Sequence, residues 1–158
     1  IYVVLSELPK FETSWTYENY QRNYILDVLK QNDAKDDDIV IISDCDEIVS
    51  PKAIREFQKS PVGIKSLEQS FYYYYINLLN YRGKYWYGAK ILTYKEFFNN
   101  DNNNGFEYNT FLIRELNQGV TPTKIRMKNN CPALKDGGWH FSFCGGIFIK
   151  LMYLIHFS

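Results

Sequence analysis

Apolar positions follow two different rhythms along this chain. The run "IYVVL" at residues 1–5 is continuously apolar and mostly β-branched or aromatic, which predicts a strand covered on both faces. After a loop containing Pro9, a cap at Thr13 or Ser14 opens a helical pattern in which Tyr17, Tyr20, Tyr24 and Val28, with Ile25 and Leu29, recur at helical spacing. The stripe predicts a helix of about four turns that ends in the polar "KQNDAKDDD". "IVII" at residues 39–42 is again continuously apolar and predicts a central strand of a mostly parallel sheet. Strand, helix and strand in that order make a βαβ unit with a right-handed crossover. "SP" at residues 50–51 then starts another helix, with Ser50 as cap and Pro51 where its missing N–H costs nothing.

Beyond Gly63 the rhythm changes. "SFYYYYINLLNYRGKYWYGAKILTY" is rich in aromatic and β-branched residues and predicts a hairpin or meander turning around Asn80 to Lys84. In "YYYY" at 72–75, alternate rings are expected to face core and solvent. "NNDNNNGFEYN" reads as a polar low-complexity loop, while "TFLIREL" and "TKIRM" read as short strands. No internal repeat breaks the chain, and a single domain over residues 1–158 is expected.

Composition narrows the picture. Eighteen basic and eighteen acidic side chains cancel, so no overall field draws the chain to nucleic acid or anionic lipid, and no nucleic-acid partner is expected. Cys45, Cys131 and Cys144 lack the paired spacing of a zinc site; buried free thiols are the expectation, with a Cys131–Cys144 bridge as the alternative. The opening Ile1 suggests a fragment. The closing "IFIKLMYLIHF", interrupted by Lys150, is shorter than the ~20 residues of a membrane span and is expected to be a buried helix or strand, with His156 structural. Any membrane anchor would therefore lie outside this chain.

The chemistry concentrates in "SDCDE" at residues 43–47, on the connection leaving the carboxyl end of a buried strand, the edge where open α/β sheets bind ligands. Clustered carboxylates repel one another unless water, an internal partner or a cation compensates. Asp44 and Asp46, two residues apart, could converge on one Mg²⁺ or Mn²⁺, hard ions that take carboxylate and phosphate oxygens together. A solvated strand-to-helix connection beside a helix N-terminus accounts for the same residues without a ligand. Two enzyme classes place a D-x-D here. Haloacid-dehalogenase-like phosphatases use the first Asp as nucleophile, which would be Asp44, but in the first strand of the domain and with Thr or Val where this chain has Ile48. Nucleotide-sugar glycosyltransferases use it to hold a metal.

Four blocks in order favour the second class. "SWTYENYQRNYILDVL", "IISDCDEIVSP", "YWYGAK" and "DGGWHFSFCGG" resemble segments of glycosyltransferase family 17, the β-1,4-mannosyl-glycoprotein 4-β-N-acetylglucosaminyltransferases. Val49 stands where that family has Pro, and Ala89 where it has Thr. The resemblance implies a GT-A-like α/β fold and inverting transfer of N-acetylglucosamine from UDP-N-acetylglucosamine to a mannose-containing or other glycan acceptor. It implies that Asp44 and Asp46 hold Mn²⁺ or Mg²⁺ on the diphosphate, with His140 as a third ligand. Inversion needs one general base; Asp136 is preferred, with Glu47, Glu68 and Glu107 as alternatives. Arg22 could reach the diphosphate, although with Glu18 it also makes an ordinary (i, i+4) pair. Gly138, in a Gly-Gly pair, could let backbone approach the donor. Trp139, Trp86 and Tyr87 could stack on acceptor sugars or simply pack in a core. The implied compartment is the Golgi for a eukaryotic chain and the cytoplasm or membrane for a bacterial or viral one. Family members carry a further strand before "IYVVL" and a polar helix after Gly146, so an inactive carbohydrate-binding remnant is a reading of a different class.

Overall fold

In a computed structural model, residues 14–98 and 121–143 are described. The chain divides into two compact units, one of residues 1–40 and 93–129 and the other of residues 41–92 and 130–158.

In the first unit, α1 spans Ser14–Gln31, 18 residues, a turn longer than its sequence pattern indicated. It closes where Asp33 adopts a left-handed φ of 54° and the Asn32 side chain donates to the Val28 carbonyl. Leu26 is its buried anchor. The segment "TKIRM" is helical instead of extended. Pro122–Arg126 forms α3, whose cap Thr121 accepts from the Lys124 N–H ahead of Pro122, the same Ser/Thr-Pro signal that starts the helix at residue 51. Two hydrogen bonds from Thr123, to the Asn23 side chain and the Asn19 carbonyl, dock α3 on α1. A 3₁₀ turn at Tyr94–Phe97 is tied to the polar stretch that follows α1 through N–H bonds from Tyr94 to the Asp38 carbonyl and from Lys95 to that of Asp36.

The sheet has six strands: β1 (Ile39–Ile42), β2 (Glu47–Val49), β3 (Lys65–Tyr73), β4 (Tyr85–Trp86), β5 (Lys90–Thr93) and β6 (Ala133–Ser142). Their order is β1-β5-β3-β6-β2, with β4 also paired to β3. The fold is mixed α/β, but the sheet is not mostly parallel. Among the described strands, the β2–β6, β3–β4 and β3–β5 ladders are antiparallel and the β3–β6 ladder is parallel. A short connection explains the β3–β4 pairing, because β4 follows β3 without the dozen or more residues that a parallel crossover requires. Among the described strands β1 stands at one end of the order, with Val40 and Ile42 buried and Ile39 and Ile41 partly buried on its other face. The βαβ unit cannot be traced, since residues 1–5 lie outside the described residues; so do "NNDNNNGFEYN", "TFLIREL", Glu107, Cys144 and His156.

Helix α2 (Pro51–Lys59) starts as its sequence requires, with the Ser50 hydroxyl accepting from the Lys52 N–H and Pro51 in the first turn. Its buried face, Ala53 and Phe57, packs toward β6. Leu67, Ile91 and Leu92 are fully buried in the sheet core. The expected turn at Asn80 is present: its side-chain oxygen accepts from the Arg82 and Gly83 N–H groups. Among the described residues, no helix is long and apolar enough to cross a membrane.

Candidate functional site

The acidic segment folds as a turn closed from both sides. The Glu47 N–H donates to the Asp44 carbonyl at 3.0 Å, and the Asp44 N–H donates back to the Glu47 carboxylate at 3.0 Å. This reciprocal pair draws the Glu47 side chain inward, and the residue is buried. The turn leads into β2, an unpredicted strand that pairs with β6 and sets Glu47 opposite His140. A further bond, from the Phe141 N–H to the Asp46 carbonyl at 2.9 Å, fixes the turn against β6. As a result the Asp46 carboxylate lies 3.3 Å from His140 Nε2.

His140 is enclosed by aromatic rings. Phe71, its register partner on β3, stacks at 4.7 Å and 17°, and Trp86 lies at 4.6 Å and 31°. The other ring nitrogen, Nδ1, is buried with no hydrogen-bond partner among the described residues. A buried polar atom left in this state calls for a reason. Trp86 in turn donates its indole N–H to Glu47 Oε1, so both oxygens of that carboxylate are engaged. Gly88 makes this contact possible, because a Cβ there would run into the Trp86 ring nitrogen and Glu47 Oε1. The turn, the imidazole and the indole thus form one connected cluster.

The other candidate residues are placed elsewhere. Asp136, exposed and at φ 52°, pairs with Lys52 at 2.6 Å; the hydrogen bond and charge of Lys52 hold its carboxyl below the ordinary value. A carboxylate so held is a weaker base. Gly138, at φ 130°, admits protein: a Cβ would collide with the Ile48 carbonyl, so the close approach it permits is to β2. Trp139 and His140 alternate along β6, so Trp139 lies on the opposite face, half-exposed across from Ile48. The Tyr87 hydroxyl donates to Glu68 at 3.0 Å, and loss of water, then this bond, raises the phenol above its ordinary value. Arg22 belongs to the first unit, where it pairs with Glu18 on α1. Trp86, Tyr87 and Trp139 are all partly exposed, which departs from a simple core role. Cys45, between the two aspartates, is exposed and not buried.

Asp44, Asp46 and His140 do not make a complete metal shell. Among the described residues, no three His, Cys, Asp or Glu side chains are grouped to hold an ion. Asp46 and the Nε2 of His140 that faces it fit an ion only as a partial set, one that would need further oxygens from a ligand and water. The sequence pointed to every polar member of the cluster but not to Phe71, whose contact with His140 arises from a parallel pairing that no local pattern encodes. Gly88 did carry a signal, its place in "YWYGAK" two residues after Trp86. No family model matches this chain, and no curated protein or solved structure is significantly similar to it.

Proposed function

We propose that this chain is a glycosyltransferase of GT-A-like fold that moves N-acetylglucosamine from UDP-N-acetylglucosamine to a mannose-containing or other glycan acceptor, with inversion. One observation carries the reading. The acidic turn and the "GGWH" segment, 94 residues apart between Asp46 and His140, meet through their side chains, as a shared diphosphate site would require. The mixed α/β sheet with the acidic turn leaving β1 is compatible with it.

In this reading Asp46, His140 and the neighbouring Asp44 bind Mn²⁺ or Mg²⁺ together with the donor. When bound, the ion offsets charge developing on the departing UDP. Glu47, with both oxygens engaged, holds the turn and Trp86 in register. The partly exposed Trp86 offers a flat apolar face to an acceptor sugar, whereas Asp136, held by Lys52, is not placed to take the acceptor proton.

The test is thermal unfolding of the wild-type chain, Asp44→Asn and Asp46→Asn with UDP-N-acetylglucosamine, with and without Mn²⁺. A donor at a hundredfold excess over its Kd stabilises by about 2.7 kcal/mol, a rise of roughly 5–10 °C for a chain of this size. A metal-dependent rise that both variants lose supports the proposal. Saccharide binding indifferent to metal would assign a carbohydrate-binding protein instead. Turnover of a phosphomonoester through phosphorylated Asp44 would assign the phosphatase chemistry. A folded chain that the donor does not stabilise would overturn the reading.

A further inference from the structure

We propose that the connection between β3 and β4 inserts into the headgroup layer of an anionic membrane. Between Tyr73 and Tyr85 the chain exposes Tyr75 at 63%, Ile76 at 75%, Leu78 at 49% and Tyr81 at 89%. Single exposed apolar residues are ordinary, but four large ones on one short connection form a patch. This inference is independent of the chemistry proposed for the acidic turn.

Three features select a lipid surface. The tip pairs part of its own backbone, which lowers the cost of a low-dielectric environment. The N–H groups of Tyr73, Tyr75, Leu78 and Asn80 bond to the carbonyls of Leu78, Tyr73, Tyr75 and Phe71, and the Asn80 side chain takes those of Arg82 and Gly83. The side chains also suit the depth, since Ile76 and Leu78 are wholly apolar while the two tyrosines have the apolar body and polar end found at headgroup level.

Charge is the third feature. Arg82 and Lys84 are exposed at the base of the tip, and the sequence from Gln69 to Lys95 contains no acidic residue at all. The Lys84 ammonium sits 5.1 Å from the centre of the Tyr85 ring, beside the apolar tip. A net charge of zero conceals this arrangement, because carboxylates are concentrated in stretches such as "DDD" at 36–38 and "DCDE" at 44–47. An apolar tip followed by two exposed cations, in a stretch of sequence without acidic residues, complements lipid phosphates better than a protein surface of unspecified charge.

The test is cosedimentation of the full chain with vesicles of phosphatidylcholine alone or mixed with phosphatidylserine. It is run at ~0.1 M salt, where screening acts over about 10 Å, and at ~1 M, where it acts over about 3 Å. The chain is expected to pellet with the anionic vesicles at the lower salt and to be released at the higher. The Arg82→Ala/Lys84→Ala chain should bind roughly 25-fold more weakly, about fivefold for each cation. The Ile76→Asp/Leu78→Asp chain should not pellet. Both pairs are exposed, and unchanged circular dichroism and melting would show that the fold is retained. Absence of wild-type binding, or equal binding by either variant, would overturn the proposal. So would sedimentation velocity without lipid showing a wild-type dimer that Ile76→Asp/Leu78→Asp dissolves, which would make the tip a contact between copies.

Discussion

The bond between the Trp86 indole and Glu47 should be measurable as a coupling energy. Trp86→Phe removes the donor but keeps a ring beside His140, and it leaves one oxygen of a buried carboxylate without that partner. Hydrogen bonds to a charged group contribute ~1.5–3 kcal/mol, and Trp86 is 37% exposed, which places this one near the lower end. Glu47→Gln keeps the shape but forces one amide group to replace two carboxylate oxygens that now accept from Trp86 and Asp44. Each single change should therefore cost about 1.5–2 kcal/mol, while the double change should cost well under the sum, with a coupling of about 1 kcal/mol or more. Urea unfolding reads these values: at a slope near 2 kcal/mol/M, each single variant loses about 0.75–1 M in midpoint. Additive losses, agreeing within about 0.5 kcal/mol, would mean that the indole and the carboxylate do not interact and that the cluster is not a unit.

Gly138→Ala should destabilise by at least ~2 kcal/mol and speed hydrogen exchange along β2, because φ 130° disfavours a side chain and the new Cβ would strike the Ile48 carbonyl. Ser50→Ala should cost ~1 kcal/mol in the same unfolding assay, through loss of the bond that the hydroxyl accepts from the Lys52 N–H. Lys52→Ala should return the Asp136 carboxyl, now lowered by the hydrogen bond and charge of Lys52, toward its ordinary value in a carbon-detected NMR titration. Since the folded value is depressed, any stabilisation from this carboxylate is present above the ordinary value and lost as pH falls through the lowered one. With side chains 71% and 69% exposed the effect on stability should be small, so a large acid-side loss in wild type that Lys52→Ala abolishes would contradict the geometry.

Much of this organisation is legible in local sequence. The Ser50-Pro51 start of α2, the helical stripe of α1, the aromatic hairpin with its Asn80 turn and the acidic turn leaving β1 all follow from side chains acting within a few residues of themselves. What local pattern could not supply was pairing. An apolar run such as "IVII" is compatible with a central or a terminal strand, and "TKIRM" suits a strand or a helix until the Thr121-Pro122 cap is weighed. The sequence by itself therefore determined the acidic turn, the starts of α1 and α2 and a partner block containing His140. Only the tertiary structure decided that β2 would form and pair with β6, that β3 would run parallel to β6, and that Asp46, Phe71 and Trp86 would meet at one imidazole while Asp136 pairs with Lys52. Those contacts join residues far apart in the chain, and their geometry depends on strand register, where a shift of one residue turns every side chain to the other face.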